Sequence, residues 1–267
     1  MMVDDGGDLP DGWKCVDGAL EMDDNYMVQL RKGEVNMKLL SPEERADFVD
    51  AKRKELENYF ANFVWEFASD KEKKDAEKDQ RVITARWVLT WKCEDENAEV
   101  PKWKAKARLV LRGYEDPDVM TLNKASPTAS RQARLWLLTL TKWNSWQLIC
   151  ADVKAAFLSG SNFDRVIIVR LPADCGPLLG VNLEGISKHV FMRLKKSAYG
   201  LSDAPLLWYQ EASRRLTEMG WIKHPMDQCC FMLVANDKHS SHGSLRGMMI
   251  LHVDDVLVTG CPTDKVF

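Results

Sequence analysis

No run of apolar residues in this chain approaches the roughly 18 needed to cross a bilayer. The N-terminus, MMVDDGGDLP, lacks the basic and then apolar stretches of a signal peptide. None of the seven cysteines falls in a CxxC pair, and an odd count without metal or disulfide spacing excludes a stapled secreted scaffold. These absences point to an intracellular, cytoplasmic protein with reduced thiols and no membrane partner. Internal repeats are absent as well. Acidic residues are missing between Lys102 and Arg112, where Lys102, Lys104, Lys106, Arg108 and Arg112 crowd together.

What is present is ordinary in bulk and uneven in distribution. At 267 residues, with 45% apolar and 29% charged residues, the chain can bury one large core or two small ones. The formal net charge is -3, yet residues 1–24 hold eight acids against Lys14, which leaves the other 243 residues at +4. Residues 1–40 therefore read as an acidic, largely disordered tail ahead of a mildly basic body.

Ser41-Pro42-Glu43-Glu44 is a capping box with proline at the first helical position. Phe48, Val49, Leu56, Tyr59, Phe60 and Phe63 share one stripe, so a helix is expected to about Phe63. The charged run 70–80 reads as a solvated connection. Strands are expected at 81–92, 106–114, 147–152, 165–171, 189–194, 229–235, 246–253 and 256–260, and a Gly/Pro-rich loop at 172–187. Helices are expected at 128–143, with Leu135, Leu138 and Trp143 at helical spacing, and from Ser202 as N-cap to Gly220 as the residue past its end. Helices and strands mix without regular alternation, which makes the fold class α+β.

The chemistry concentrates in three acids. Asp254-Asp255 is bracketed by Met248–Val253 and Val256–Val258, whereas the pairs Asp4-Asp5 and Asp23-Asp24 lie in the tail. Adjacent carboxylates between apolar strands repel, and burying them unpaired is unfavourable. A solvent-facing hairpin turn explains the pair equally simply. Asp152 ends another apolar strand, where a strand-end or N-cap role is the plain alternative. Together, three carboxylates at two strand ends suit two hard divalent cations. Such a site activates an attacking hydroxyl and stabilises a leaving pyrophosphate. This reading requires residues 152, 254 and 255 to converge.

In order, the chain carries WVLTWK (87–92), KARLVLRGY (106–114), ASPT (125–128), DVKAAFLSG (152–160), SAYGLSDAPLLWY (197–209), D-x-C-x-F from Asp227 and LHVDDVLVTG (251–260). This series resembles the reverse transcriptase of copia-type LTR retrotransposons from about Leu40 onward. The resemblance implies fingers (41–146) and palm (147–267) of a right-handed polymerase, with an antiparallel palm sheet packed on helices. It implies an RNA-directed DNA polymerase that adds deoxynucleotides to a primer 3′-hydroxyl with two Mg²⁺, or Mn²⁺ in their place. RNA or DNA template–primer and deoxynucleoside triphosphates would be its partners, with the rest of a Pol polyprotein and a particle-associated location.

Residue by residue, Asp152 and Asp254 match the family's catalytic aspartates and Asp255 the auxiliary one. The Val153 carbonyl would join these three as a metal ligand. Phe157 matches the aromatic that closes against the sugar 2′ position and excludes ribonucleotides sterically. Lys106 and Arg108 match basic groups presented to the triphosphate, with a solvated strand edge as the alternative. Ala155, Ala156 and Gly200 would line the nucleotide pocket, glycine allowing close backbone approach. Trp208 and Tyr209 read as helix core.

The chain departs from the family at His252, where the family has Tyr, a core histidine being the plain alternative. It departs again at Ser202-Asp203, where Lys-Gln is usual. The second change exchanges a positive charge for a negative one and is expected to weaken nucleotide binding. Only 12 residues follow Asp255, so the palm is expected to be truncated, without thumb or RNase H domain. That leaves a second reading, an inactive relic that at most binds nucleic acid. A metal-dependent hydrolase has no supporting histidine.

Overall fold

The computed structural model describes the backbone of residues 13–16 and 19–22, and residues 33–94, 102–162, 165–181, 189–235 and 244–261 in full. It is an α+β arrangement of two five-stranded sheets, with helices packed on them. Strands β1 (Trp13–Val16) and β2 (Ala19–Met22) form an antiparallel pair inside the stretch expected to be disordered. Residues 33–40 depart from the tail reading too. The Val35 amide donates to the Leu89 carbonyl at 2.7 Å, and Val35, Met37 and Leu40 pack against a small core of Phe48, Leu89 and Ala107.

Helix α1 (Pro42–Ala61) starts at the expected capping box, with Ser41 and Glu44 bonding each other's backbone amides. Its inward face buries Phe48, Leu56 and Tyr59. After β3 (Trp65–Phe67), the charged run is not a connection but helix α2 (Asp70–Lys78). A second capping box, Ser69 with Glu72, starts it, and Ala76 is its buried contact. About 13 Å of mostly solvated helix forms here on its cap and its charges, with Glu72 also paired to Arg193 and Lys73 over the Phe191 ring.

The first sheet has the order β3-β8-β7-β4-β5, from β4 (Val82–Cys93), β5 (Trp103–Leu111), β7 (Ile168–Arg170) and β8 (Phe191–Leu194). All its pairings are antiparallel except β4 with β7. The second sheet has the order β6-β12-β11-β10-β9, entirely antiparallel, from β6 (Gln147–Asp152), β9 (Ile222–His224), β10 (Asp227–Ala235), β11 (Ser244–His252) and β12 (Asp255–Gly260). Because β7 and β8 belong to the first sheet, the expected boundary after residue 146 does not separate the sheets. The expected loop 172–187 contains a short helix α4 (Cys175–Leu178). Residues 95–101, 182–188 and 262–267, in the expected hairpin loop, the Gly/Pro-rich loop and the chain end, lie outside the described residues.

Helices α3 (Arg131–Asn144) and α5 (Ala204–Glu218) bury against the second sheet, where Trp208, Tyr209, Trp221 and Phe231 share a core with Leu137. Helix α3 starts at Ser130 rather than Thr128, and its buried contacts are Ala133 and Leu137. The expected stripe points outward, with Leu135 51%, Leu138 46% and Trp143 85% exposed. Helix α5 starts after Asp203, which makes no side-chain capping bond, and Gly220 follows its C-cap with φ +92°. Trp208 and Tyr209 are buried as core, as expected.

The two halves meet at the seam between the end of β5 and the segment 197–203. The Leu111 amide donates to the Tyr199 carbonyl at 2.7 Å. A Cβ on Gly113 would stand 2.3 Å from the Gly200 carbonyl oxygen, and one on Gly200 (φ +95°) 2.0 Å from the Leu111 oxygen. Backbone cannot yield as a side-chain tip can. Gly113→Ala is expected to destabilise the chain by about 2–4 kcal/mol, as close backbone contacts do when a methyl is forced in. Urea denaturation should show this as a lowered midpoint with the slope unchanged.

Candidate active site

The geometry is built from a register. Asp152 is the Cα partner of Asp255 across β6 and β12, and Asp255 is in turn the partner of His252 across β12 and β11. Directly opposed residues share a sheet face, so these three side chains stand in one cross-strand row. Asp254 occupies the two-residue turn between β11 and β12, and its carbonyl accepts the Val153 amide at 2.8 Å. All three aspartates are solvent-exposed. His252 is exposed too, which overturns the core-histidine alternative.

The turn itself is strained. Val253, a β-branched residue at the first central position, has φ +59°, where glycine is the usual occupant. Two bonds hold it. The indole Nε1 of Trp208 donates to the Val253 carbonyl at 2.7 Å, and the Val153 amide secures the next carbonyl. Ala155, with φ +54°, turns the chain sharply out of β6 into a 3₁₀ turn, Ala156–Ser159.

Lys106 and Arg108 belong to the first sheet. They lie two residues apart on β5 and so share a face. Burial, then the charges of Arg108 and Lys92, lower the Lys106 ammonium's pKa, while Glu55 and Asp152 pull it back up. Asp152 therefore lies within electrostatic reach of this strand. Tyr199 is within reach of both. Its ring meets Phe157 edge-on at 5.7 Å between centroids, and the Arg108 guanidinium stands 6.0 Å from its centroid. Burial first, then Glu55, raises the Tyr199 hydroxyl. Arg108 opposes this, and Asp254 and Asp152 add to it.

The free edge of β5 is closed by side chains instead of another strand. The Glu55 carboxylate accepts the Leu109 amide at 3.2 Å, and the Tyr59 hydroxyl donates to the Leu109 carbonyl at 2.6 Å. Burial raises the Glu55 carboxyl, partly offset by that amide and by Arg108.

The expected residues thus divide. Asp152, Val153, Asp254 and Asp255 are brought to one end of the second sheet, Lys106 lies within reach of the Asp152 charge, and Arg108 and Phe157 both meet Tyr199. Phe157 touches both major cores. Ala156 instead is buried at 4% exposure in the second core. Gly200 is held against β5 at the seam. Among the described residues no three acidic, histidine or cysteine side chains are drawn together as a metal-holding group. What the structure pairs is the backbone of Asp152 and Asp255, with Asp254 in the adjoining turn. The donor set still fits a hard divalent ion, since it consists of exposed carboxylate oxygens beside a peptide carbonyl.

Asp203 does not add its charge to the site. It is buried and bonded to Arg165 at 2.7 Å, so the expected weakening through exposed negative charge does not follow from its position. Sequence reading missed Glu55, Tyr199, Trp208's anchoring role and Arg165. Tyr199 stood inside a quoted motif; Glu55 was hidden in an ordinary helix pattern.

Three aspartates thus stand at one end of the second sheet. The family described as reverse transcriptase (RNA-dependent DNA polymerase) matches residues 72–266, and the chain belongs to it. It is 26% identical over 231 residues to the retrovirus-related Pol polyprotein from transposon TNT 1-94 of Nicotiana tabacum, covering 86% of this chain and 16% of that protein. It is 28% identical over 180 residues to the Pol polyprotein from transposon RE1 of Arabidopsis thaliana, covering 67% of this chain and 11% of the other. A yeast relative, the transposon Ty1-NL2 Gag-Pol polyprotein of Saccharomyces cerevisiae, is 26% identical over 176 residues, 66% of this chain and 9% of its own length. These are Pol proteins of copia-type transposons, and the chain spans about a sixth or less of each.

Trp208→Phe keeps the ring in the core and leaves the Val253 carbonyl without its donor. A loss of roughly 1–2 kcal/mol is expected, with faster hydrogen exchange at the amides of 253–255. Tyr209→Phe, which removes a bond to the Gln228 carbonyl, should lower stability comparably and leave that exchange unchanged.

Proposed function

We propose that this chain is the nucleotide-adding part of an RNA-directed DNA polymerase with the fingers and palm of a right-handed polymerase. The observation that carries the reading is the cross-strand pairing of Asp152 with Asp255 beside Asp254, in a member of the reverse transcriptase family. Asp152 and Asp254 are the catalytic carboxylates, Asp255 is auxiliary, and with the Val153 carbonyl they would hold Mg²⁺. Bound there, Mg²⁺ supplies activation of the attacking hydroxyl and charge stabilisation of the leaving group.

The remaining roles belong to the chain's own side chains. Lys106 and Arg108 bind the triphosphate, Arg108 through its planar fork of donors. Burial and the neighbouring cations weaken the proton's hold on Lys106, so an arriving triphosphate is a favourable counter-charge. Phe157, braced edge-on by Tyr199, closes the sugar side and excludes a 2′-hydroxyl. Ala155 and Gly200 let backbone approach the nucleotide, while Ala156 supports the pocket from the core. The primer 3′-oxygen forms a bond to the α-phosphorus as the bond to the bridging oxygen breaks and pyrophosphate leaves. Template–primer lies across the exposed acidic end, and the surrounding Pol polyprotein is its context.

Primer extension on an RNA template with Mg²⁺ or Mn²⁺ tests this reading. Asp152→Asn and Asp254→Asn should each lower incorporation by about 10³-fold, some 4 kcal/mol of transition-state stabilisation, with unchanged melting temperature. Arg108→Ala should raise the KM for deoxynucleotide about tenfold with a smaller change in kcat. Equal incorporation by Asp254→Asn removes the assignment. Salt-dependent duplex binding without incorporation by the wild type selects the relic reading instead.

A further inference from the structure

We infer that Arg165 is a positioning residue for the nucleotide pocket, clamping the segment that carries Tyr199 and Gly200 to the segment that follows β5. The inference rests on the polymerase reading for what the pocket binds, and on the geometry alone for the clamp.

Arg165 bonds Asp116 through Nη1 and Asp203 through Nη2, the latter at 2.7 Å. The three side chains are 13%, 2% and 8% exposed. Asp116 closes the short 3₁₀ turn Gly113–Glu115 that leaves β5, and its other oxygen accepts the Asp118 amide at 3.0 Å. Asp203 lies three residues beyond Gly200, at the N-cap of α5. One planar guanidinium therefore spans the two segments whose backbones meet at Gly113 and Gly200. That spacing sets where Tyr199 stands against Arg108 and Phe157. A lysine ammonium is a point charge and cannot present two donors in a fixed plane to two carboxylates.

Arg81, paired with Asp118, adds its charge beside Asp116, and the second Asp203 oxygen is buried without a hydrogen-bond partner among the described residues. Burial raises the Asp203 carboxyl, the Arg165 charge opposes this, and the Asp116 charge adds to it. The raised pKa means that the folded chain holds this proton more tightly than the unfolded chain. Asp203 therefore adds stability at acid pH that is lost as pH rises through its folded value. This accounts for Ser202-Asp203 where Lys-Gln is usual, because the acid belongs to an inward clamp and not to the pocket wall.

The test uses the full chain with poly(rA)–oligo(dT), dTTP and Mg²⁺, and thermal melting across pH. Arg165→Lys, which keeps the charge and loses the fork, should raise the KM for dTTP about five- to twentyfold with kcat within about threefold. Asp203→Asn keeps an acceptor for Arg165 and should leave KM within about twofold. Its melting temperature should gain on the wild type as pH rises above the usual carboxylate range. A folded Arg165→Lys with unchanged KM overturns the positioning role, as does an Asp203→Asn melting difference that ignores pH. If Arg165→Lys fails to fold, that pH-dependent difference decides the clamp. A wild type that incorporates nothing overturns the polymerase reading, and the clamp is then judged by melting alone.

Discussion

The antiparallel register of β6 on β12 is the constraint on which the site depends. A slip of one residue would send Asp152 to the opposite face from Asp255. Most strands secure their register by burying one face, but every residue of β6 is exposed, Leu148 and Ile149 included. Polar bonds take over that task at both ends. At the far end the Thr259 hydroxyl donates to the Gln147 carbonyl at 2.9 Å and receives the Thr141 hydroxyl of α3 at 2.8 Å. At the acidic end the Val153 amide holds the Asp254 carbonyl, and Trp208 holds the strained Val253 beside it. The ladder is pinned like a plank nailed at its two ends.

The basic side of the site is assembled under a different constraint. Lys92, Lys106 and Arg108 crowd one region of the β4–β5 hairpin, and like charges at such range destabilise one another. Glu55 offsets them while closing the strand edge, and Tyr199 feels both Arg108 and the aspartates. With opposite charges kept on separate sheets, neither set neutralises the other by direct pairing.

Much of this was legible in the sequence, and the failures have physical causes. The ordered motifs located β4, β5, β6, β11 and β12 to within a few residues, because alternating β-branched and aromatic residues encode extended backbone directly. The capping box at Ser41 located α1. The same signal at Ser69 and Glu72 was outweighed by the charge of 70–80, although that charge itself docks the helix, with Glu72 paired to Arg193 and Lys73 over the Phe191 ring beside the buried Ala76. Leu135, Leu138 and Trp143 have helical spacing, yet spacing defines a stripe and not which stripe turns inward. Ala133 and Leu137 won because small and medium side chains fit close against β11 and β12. Arg165 with Asp203 was beyond reach for another reason, since 38 residues separate them and a lone arginine in a sequence names no partner.

Phe157 ties together two sheets with separate cores. The 3₁₀ turn that carries it places Leu158 in the first core and Ala156 in the second. The Phe157 carbonyl accepts the Ser197 hydroxyl at 2.7 Å, on the same segment as Tyr199. A residue that belongs to both cores cannot follow either sheet alone without opening a void on the other side, and close-packed interiors resist that. The acids of β6 and β12 and the cations of β5 are therefore kept in relation by packing through this turn, with the Gly113–Gly200 contact and the Arg165 fork closing the far side of the same seam.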